Sequence, residues 1–485
     1  MSDLTKRTYE AMLGEIFESL VISIEGELAK SKSFRKSGKN VSEVARSVKH
    51  HLLTALSQHL SDPRRSVKVS LNSNHYTKSY CYNPGNFSYN THKLRAFDYL
   101  IDTGFIQIDR KGYLNRELRI SGITLYRITE KGLAWFEDAL KNKLKLNSLD
   151  GLLVTKDFLP LISEIRITQP KEEKIFSDHS SRKIIPFKHS AITEHLRKDV
   201  QSINRVLANS WIDLDLQSLD EWDEFYDALN NRKDKSQHKN INFTNRQLYR
   251  IFHDKEFSTG GRFYGGWWQQ IPSKYRSFLI VNGKPTVEFD YSGLHPAILY
   301  AKKGLELPSD PYSSILGKDH RNLAKRCFSA LLNSVGPMNG PPNETKISHT
   351  GKRWSEIKAR IYDLHGPISE YFEKGSGLEL MHEDSEIALV IMKHFAQQNI
   401  PVYPVHDSFI MHSGYESELL RVMQKAFRDR YGIKCNIKPH VGFRRKPNFD
   451  CTPTTGDIDQ LLAFSSLPQW KRTDAHFDLK QRHQR

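Results

Sequence analysis

The stretch VEFDYSGLHPAILYA, Val287 to Ala301, reads as a β-strand that ends on a carboxylate and runs straight into a buried helix. Val287 and Phe289 alternate with Glu288 and Asp290 at the strand period, and Leu294, Ile298 and Leu299 then follow at helical intervals from near His295. A second carboxylate stands in PVYPVHDSFIMH, Pro401 to His412, where two short β-prone runs flank His406 and Asp407 as a hairpin would, with the acid at its tip. Between them in the chain, RNLAKRCFSALL, Arg321 to Leu332, reads as a basic helix that sets Arg321 and Lys325 one turn apart on one face. This order of strand carboxylate, cationic helix and strand carboxylate is what metal-dependent nucleotidyl transfer requires. Two Asp side chains can hold a pair of divalent ions, Mg2+ or Mn2+, about 3.5–4 Å apart, while cations neutralise a triphosphate.

Two further segments frame these three. STGGRFYGGWWQQIP, Ser258 to Pro272, has glycines that permit close backbone approach, Arg262 as a bidentate phosphate fork, and Trp267 and Trp268 either to stack or to pack. EDSEIALVIMKHFAQQ, Glu383 to Gln398, is an amphipathic helix expected to turn Ile387, Val390, Ile391 and Phe395 towards a core.

Taken together, TGGR…QQIP, DYS, an Arg followed four residues later by Lys, and an Ile/Ala-rich helix before VHDSF resemble the palm and fingers of family A polymerases. That family includes bacterial DNA polymerase I and, more distantly, the phage-type single-subunit RNA polymerases. The resemblance covers roughly Phe257 to Phe443. It implies that Asp290 and Asp407 are metal ligands, joined by the backbone carbonyl of Tyr291. It also implies that Arg321 and Lys325 bind the incoming triphosphate, with Lys325 a proton donor to pyrophosphate. Arg262 becomes a primer–template contact and His406 a neighbour of the primer end.

The departures from that pattern bear on the substrate. His295 stands where the DNA polymerases of the family carry Glu, and Ser329 replaces an aromatic. Asn333 and Ser334 replace a Tyr-Gly pair, and Ser408 rather than Glu follows Asp407. His295, Ser329 and Asn333 thus fall at nucleotide-binding positions, but the sugar preference does not carry over. His295 has the bulk of a steric gate and equally suits a role capping its helix. No acidic cluster of a 3′–5′ exonuclease precedes these segments.

Nearer the N-terminus, residues 41–60 place Val44, Val48, Leu52, Leu53 and Leu56 at helical spacing. THKLRAFDYLIDTG follows as a second helix with Gly104 as its stop, and Phe105 to Thr129 then alternates around basic turns. Helix, helix and basic hairpin resemble a winged-helix module, with Lys93, Arg95, Arg110 and Lys111 near phosphates; the same module can serve protein contacts alone.

At 485 residues the chain should divide into roughly two to four domains. Lys and Arg outnumber Asp and Glu, 72 against 56, which suits a polyanionic partner. No apolar run nears the roughly 20 residues that span a bilayer, so no membrane partner and a cytoplasmic location are expected. Cys81, Cys327, Cys435 and Cys451 have no CxxC spacing and support neither a zinc site nor a disulfide framework. The expected fold is α+β, a polymerase palm with an antiparallel sheet and helical fingers, plus an N-terminal winged-helix domain. The expected divisions are an N-terminal helical segment (1–40), the winged-helix-like domain (41–145), a helical connector or thumb-like region (146–245), the palm and fingers (246–450), and a flexible basic tail (451–485). The expected partners are a DNA template and primer with nucleoside triphosphates; protein partners are not specified. The leading expectation is template-directed DNA synthesis. RNA synthesis by a primase or transcriptase, template-independent tailing, a non-catalytic replication initiator and a metal-dependent nuclease stay open beside it.

Overall fold

The computed structural model describes residues 187–230, 245–343 and 345–439 without a break. It also describes 91–115, 120–122, 124–139, 164–168, 184–185 and positions within 17–30, 44–69, 241–243 and 469–477. The described positions of 44–59 are helical, and Val44, Val48, Leu52 and Leu56 are buried, as their spacing predicts. After β1 (Val67–Val69) comes α1 (Thr91–Asp102). It ends in a Schellman turn: the N–H of Phe105 donates to Leu100 O and that of Gly104 to Ile101 O, both at 2.9 Å, with φ of 76° at Gly104.

Strands β2 (Ile106–Arg110), β3 (Tyr113–Asn115), β4 (Ile120–Gly122) and β5 (Thr124–Ile128) follow, then α2 (Glu130–Ala139). β1, β5 and β2 form an antiparallel sheet in that order, and among the described residues β3 and β4 form a separate two-stranded pair. Phe97, Leu100, Ile106 and Tyr126 are buried, which accounts for the apolar face of α1. Arg110 and Lys111 are exposed at the end of β2, whereas the side chains of Lys93 and Arg95 lie outside the described residues.

Region 146–245 departs from the expected helical connector. It supplies β6 (Ile165–Thr168), β7 (Ile184–Ile185), α3 (Ala191–Ala208), β8 (Ile212–Leu214) and α4 (Leu219–Asn230). β6 runs parallel to β9 (Tyr249–Phe252), which pairs in turn with β10 (Gly260–Tyr264), so a four-stranded sheet is shared across the expected boundary at 245. These strands are too short to show a period in the sequence.

The largest sheet is antiparallel. β11 (Leu279–Val281) turns through Asn282 and Gly283, at φ 51° and 75°, into β12 (Lys284–Tyr291). Then come α5 (Leu294–Lys302), α6 (Arg321–Asn333), α7 (Trp354–Leu364) and α8 (Gly377–Ala396). β13 (Tyr403–Val405), β14 (Ser408–His412), α9 (Glu416–Tyr431) and β15 (Ile437–Pro439) complete the region. The strand order is β13-β14-β12-β11-β8, with β15 along the second half of β12. The architecture is therefore α+β. In α8, Ile387, Ile391 and Phe395 are buried as expected, but Val390 is 55% exposed. Burial on α8 follows its Leu380, Asp384, Ile387, Ile391 side, and Val390 falls away from it.

The expected flexible tail is corrected at its described residues. Within 469–477 the described positions are helical, and Arg472 donates to both oxygens of Asp213 on β8, at 2.9 and 2.8 Å, with both side chains fully buried. Gln469 bridges Trp222 Nε1 and Leu216 O. No helix among the described residues is long and apolar enough to cross a membrane.

Candidate active site

Asp290 occupies the end of β12 and pairs across the sheet with Ser408, the first residue of β14. Val405 pairs with the same Ser408, so β13 and β14 are joined by the two-residue turn His406-Asp407, with φ of 59° at His406. This register sets Asp407 beside Asp290, and the N–H of Tyr291 donates to Asp407 O at 3.3 Å. Burial and the neighbouring Asp407 push the Asp290 carboxyl up to about 7, opposed by Lys325 from α6. Two acids separated by over a hundred residues thus meet near a lysine. The Tyr291 phenol is buried and donates to Met423 O at 2.5 Å, which fixes the strand end that carries the residue's carbonyl.

On α6, Ala324, Cys327, Phe328 and Leu331 are buried, and the opposite stripe carries Arg321, Lys325, Ser329 and Asn333 at intervals of four. Lys325 is exposed on it. Arg321 donates from Nε to both oxygens of Asp310, at 3.2 and 3.3 Å, and lies 5.3 Å over the Tyr312 ring. The Ser313 hydroxyl, the Tyr312 and Ser313 N–H groups and Arg321 hold Asp310 down at about 2. Tyr312 is buried between Arg321 and Gly293, and that burial pushes its phenol up to about 12. Asn333 donates from Nδ2 to Ser329 O at 2.7 Å, and its Oδ1 occupies the space a Cβ at Gly377 would take.

Arg262 is not the free phosphate fork expected from the sequence. Its Nε lies 3.0 Å from each oxygen of Asp384 on α8, and its Nη2 also bonds that carboxylate. His295 Nε2 reaches the same Asp384 oxygen at 2.8 Å and lies 3.2 Å from Arg262 Nη2. His295 is therefore held from its neighbours' side, through Asp384 and beside Arg262. Burial alone would raise the Asp384 carboxyl, but hydrogen bonds from His295 and Arg262 and the guanidinium charge hold it below the ordinary range. His406 sits at the hairpin tip with its ring centroid 6.0 Å from that of Tyr264; lost solvation and the Arg262 charge lower its pKa. Trp267 and Trp268 are buried and so pack rather than stack on a ligand. Trp268 Nε1 and Gln269 Nε2 both donate to Pro404 O at 3.0 Å, which ties this segment to the hairpin.

The residues not anticipated are Asp384, Glu288, Arg276 and Tyr312. Glu288 lies two residues before Asp290 on the same face of β12, and it accepts from Ser408 Oγ at 2.6 Å and Arg276 Nε at 2.9 Å. Strand alternation could have found Glu288; Asp384 lay in a segment read only for its apolar face.

No group of three or more His, Cys, Asp and Glu side chains among the described residues is arranged to hold a metal. The carboxylates of Asp290 and Asp407, on adjoining strand ends, are nonetheless hard oxygen donors. Such a set fits Mg2+ or Mn2+ with water and phosphate oxygens completing the shell.

No protein-family model and no curated protein matches this chain. Among solved structures it is similar to the polymerase domain of Pol1 from M. smegmatis, solved in complex with DNA primer-template and dNTP. The match has a TM-score of 0.29 and 13% sequence identity, and it covers 37% of this chain and 45% of that one. The chain thus spans less than half the length of that domain.

Proposed function

We propose that the protein is a template-directed nucleic acid polymerase of family A type, most readily a DNA polymerase, adding nucleotides from nucleoside triphosphates to a 3′-hydroxyl. The observation that carries this reading is the meeting of Asp290 and Asp407 at adjoining strand ends, with Lys325 close enough to oppose their mutual repulsion. Asp290, Asp407 and the Tyr291 carbonyl would hold two divalent ions. When bound, these lower the pKa of the attacking hydroxyl and share the charge of the leaving pyrophosphate.

The chain's own residues position the reactants. Lys325 neutralises the triphosphate and supplies a proton to pyrophosphate. Arg321, held at Nε by Asp310, presents its terminal nitrogens to phosphate oxygens. His295 and Ser329 border the nucleotide, and Asn333 anchors the end of the stripe. His406 and Arg262 stand by the primer end. The N-terminal region would act as a winged helix, with Arg110, Lys111, Lys93 and Arg95 on duplex phosphates.

The test is single-nucleotide incorporation on a primed template, with dNTPs or rNTPs and Mg2+ or Mn2+. The intact protein should extend the primer and Asp407→Ala should not. Equal extension by both would refute the assignment, and extension without template would shift it to tailing.

A further inference from the structure

We propose that Asp384 is a positioning residue that holds the Arg262 guanidinium away from Asp407 and so keeps that carboxylate available to a divalent cation. The inference rests on the metal site proposed above. Asp384 is 2% exposed, and it engages Arg262 through Nε and Nη2 and His295 through Nε2. Arg262 stands on a strand tied directly to the hairpin of Asp407: Gln269 Nε2 donates at 3.0 Å both to Phe263 O, next to Arg262, and to Pro404 O, three residues before Asp407. The guanidinium is close enough for Asp407 to contribute to its raised pKa, after Asp384. Without Asp384, the Arg262 guanidinium is left with the Asp407 carboxylate already acting on it, and a planar fork binds a carboxylate in the same oxygen positions a cation needs. Asp384 occupies that fork from the buried side of α8.

The measurement is Mn2+ binding to the 485-residue chain by electron paramagnetic resonance, which needs no turnover. Asp384→Asn preserves the side-chain shape and removes the charge. It should weaken Mn2+ binding by roughly tenfold, as expected for a new charge pair at a partly buried site. The double variant Asp384→Asn/Arg262→Gln should return to near wild-type affinity. Unfolding midpoints of the same variants separate a purely structural role, in which Mn2+ affinity would fall and recover only in step with stability, and that result would overturn the proposal. Unchanged affinity in Asp384→Asn, or no recovery in the double variant, would overturn the proposal. If Asp384→Asn does not fold, Arg262→Gln decides: it should bind Mn2+ at least as tightly as wild type, and weaker binding would sink the idea. Asp407→Ala separates the two levels. If it binds Mn2+ like wild type, the metal site itself is misassigned; if it loses Mn2+ while Asp384→Asn keeps it, only the role of Asp384 fails.

Discussion

The N–H of Tyr291 donates to the carbonyl oxygen of Asp407 at 3.3 Å, which closes the ladder between β12 and β14 at the point where both carboxylates emerge. The site is thus set by sheet register. A slip of one residue would carry Asp290 to the other face of the sheet.

Because the folded protein holds Asp290 at about 7, against 3.8 for a free carboxyl, its contribution to stability is complete below the unfolded value and is lost as pH rises through the folded one. The metal-free protein should therefore lose stability between about pH 4 and 7 from this group. Asp290→Asn should be more stable than wild type by roughly 1–4 kcal/mol at pH 8, narrowing towards pH 4, while incorporation is abolished. Thermal unfolding of both proteins across pH checks this; an equal or lower Tm for the variant at pH 8 would contradict it.

Much of this site was legible because its carriers are local. Strand alternation around Asp290, the two short runs around Asp407 and the four-residue spacing of Arg321 and Lys325 each follow from short-range geometry. The Gly104 stop was legible for the same reason, since a left-handed φ favours glycine. What escaped was pairing between remote segments. Asp384 meets Arg262 across 122 residues and Ser408 meets Glu288 across 120, and no periodicity encodes either. Strand β8 is three residues long, and the burial of Arg472 depends on Asp213, 259 residues away.

That last pair carries its own consequence. Arg472 and Asp213 are fully buried and bonded twice, so truncating one strands the other charge. Arg472→Ala or Asp213→Ala should cost roughly 3–5 kcal/mol in denaturant unfolding. A loss below about 1 kcal/mol, as for an exposed ion pair, would show that the C-terminal segment is not docked in solution.

Gly377 opens α8 against Asn333, where a Cβ would lie 1.7 Å from Oδ1. Gly377→Ala should destabilise by about 1–3 kcal/mol through displacement of Asn333 from Ser329 O. In an Asn333→Ala background the same change should stabilise, by about 0.5–1 kcal/mol, because alanine is the better helix residue. Additive losses in the double variant would disprove the contact.

His406 adopts φ of 59° in a turn that must stay tight to present Asp407. His406→Gly should fold with near wild-type stability, whereas His406→Val should cost about 1–2 kcal/mol, since a β-branched residue resists the left-handed region. Urea midpoints of the two variants compare them directly; equal values would mean that the turn relaxes.

The central claim, that Asp290 and Asp407 form one cation site, is tested most directly by crystals soaked in Mn2+ and measured at its absorption edge. An anomalous peak within about 2.0–2.3 Å of carboxylate oxygens from both Asp290 and Asp407 is the expected result. A peak coordinated elsewhere, or none at this pair, would contradict it.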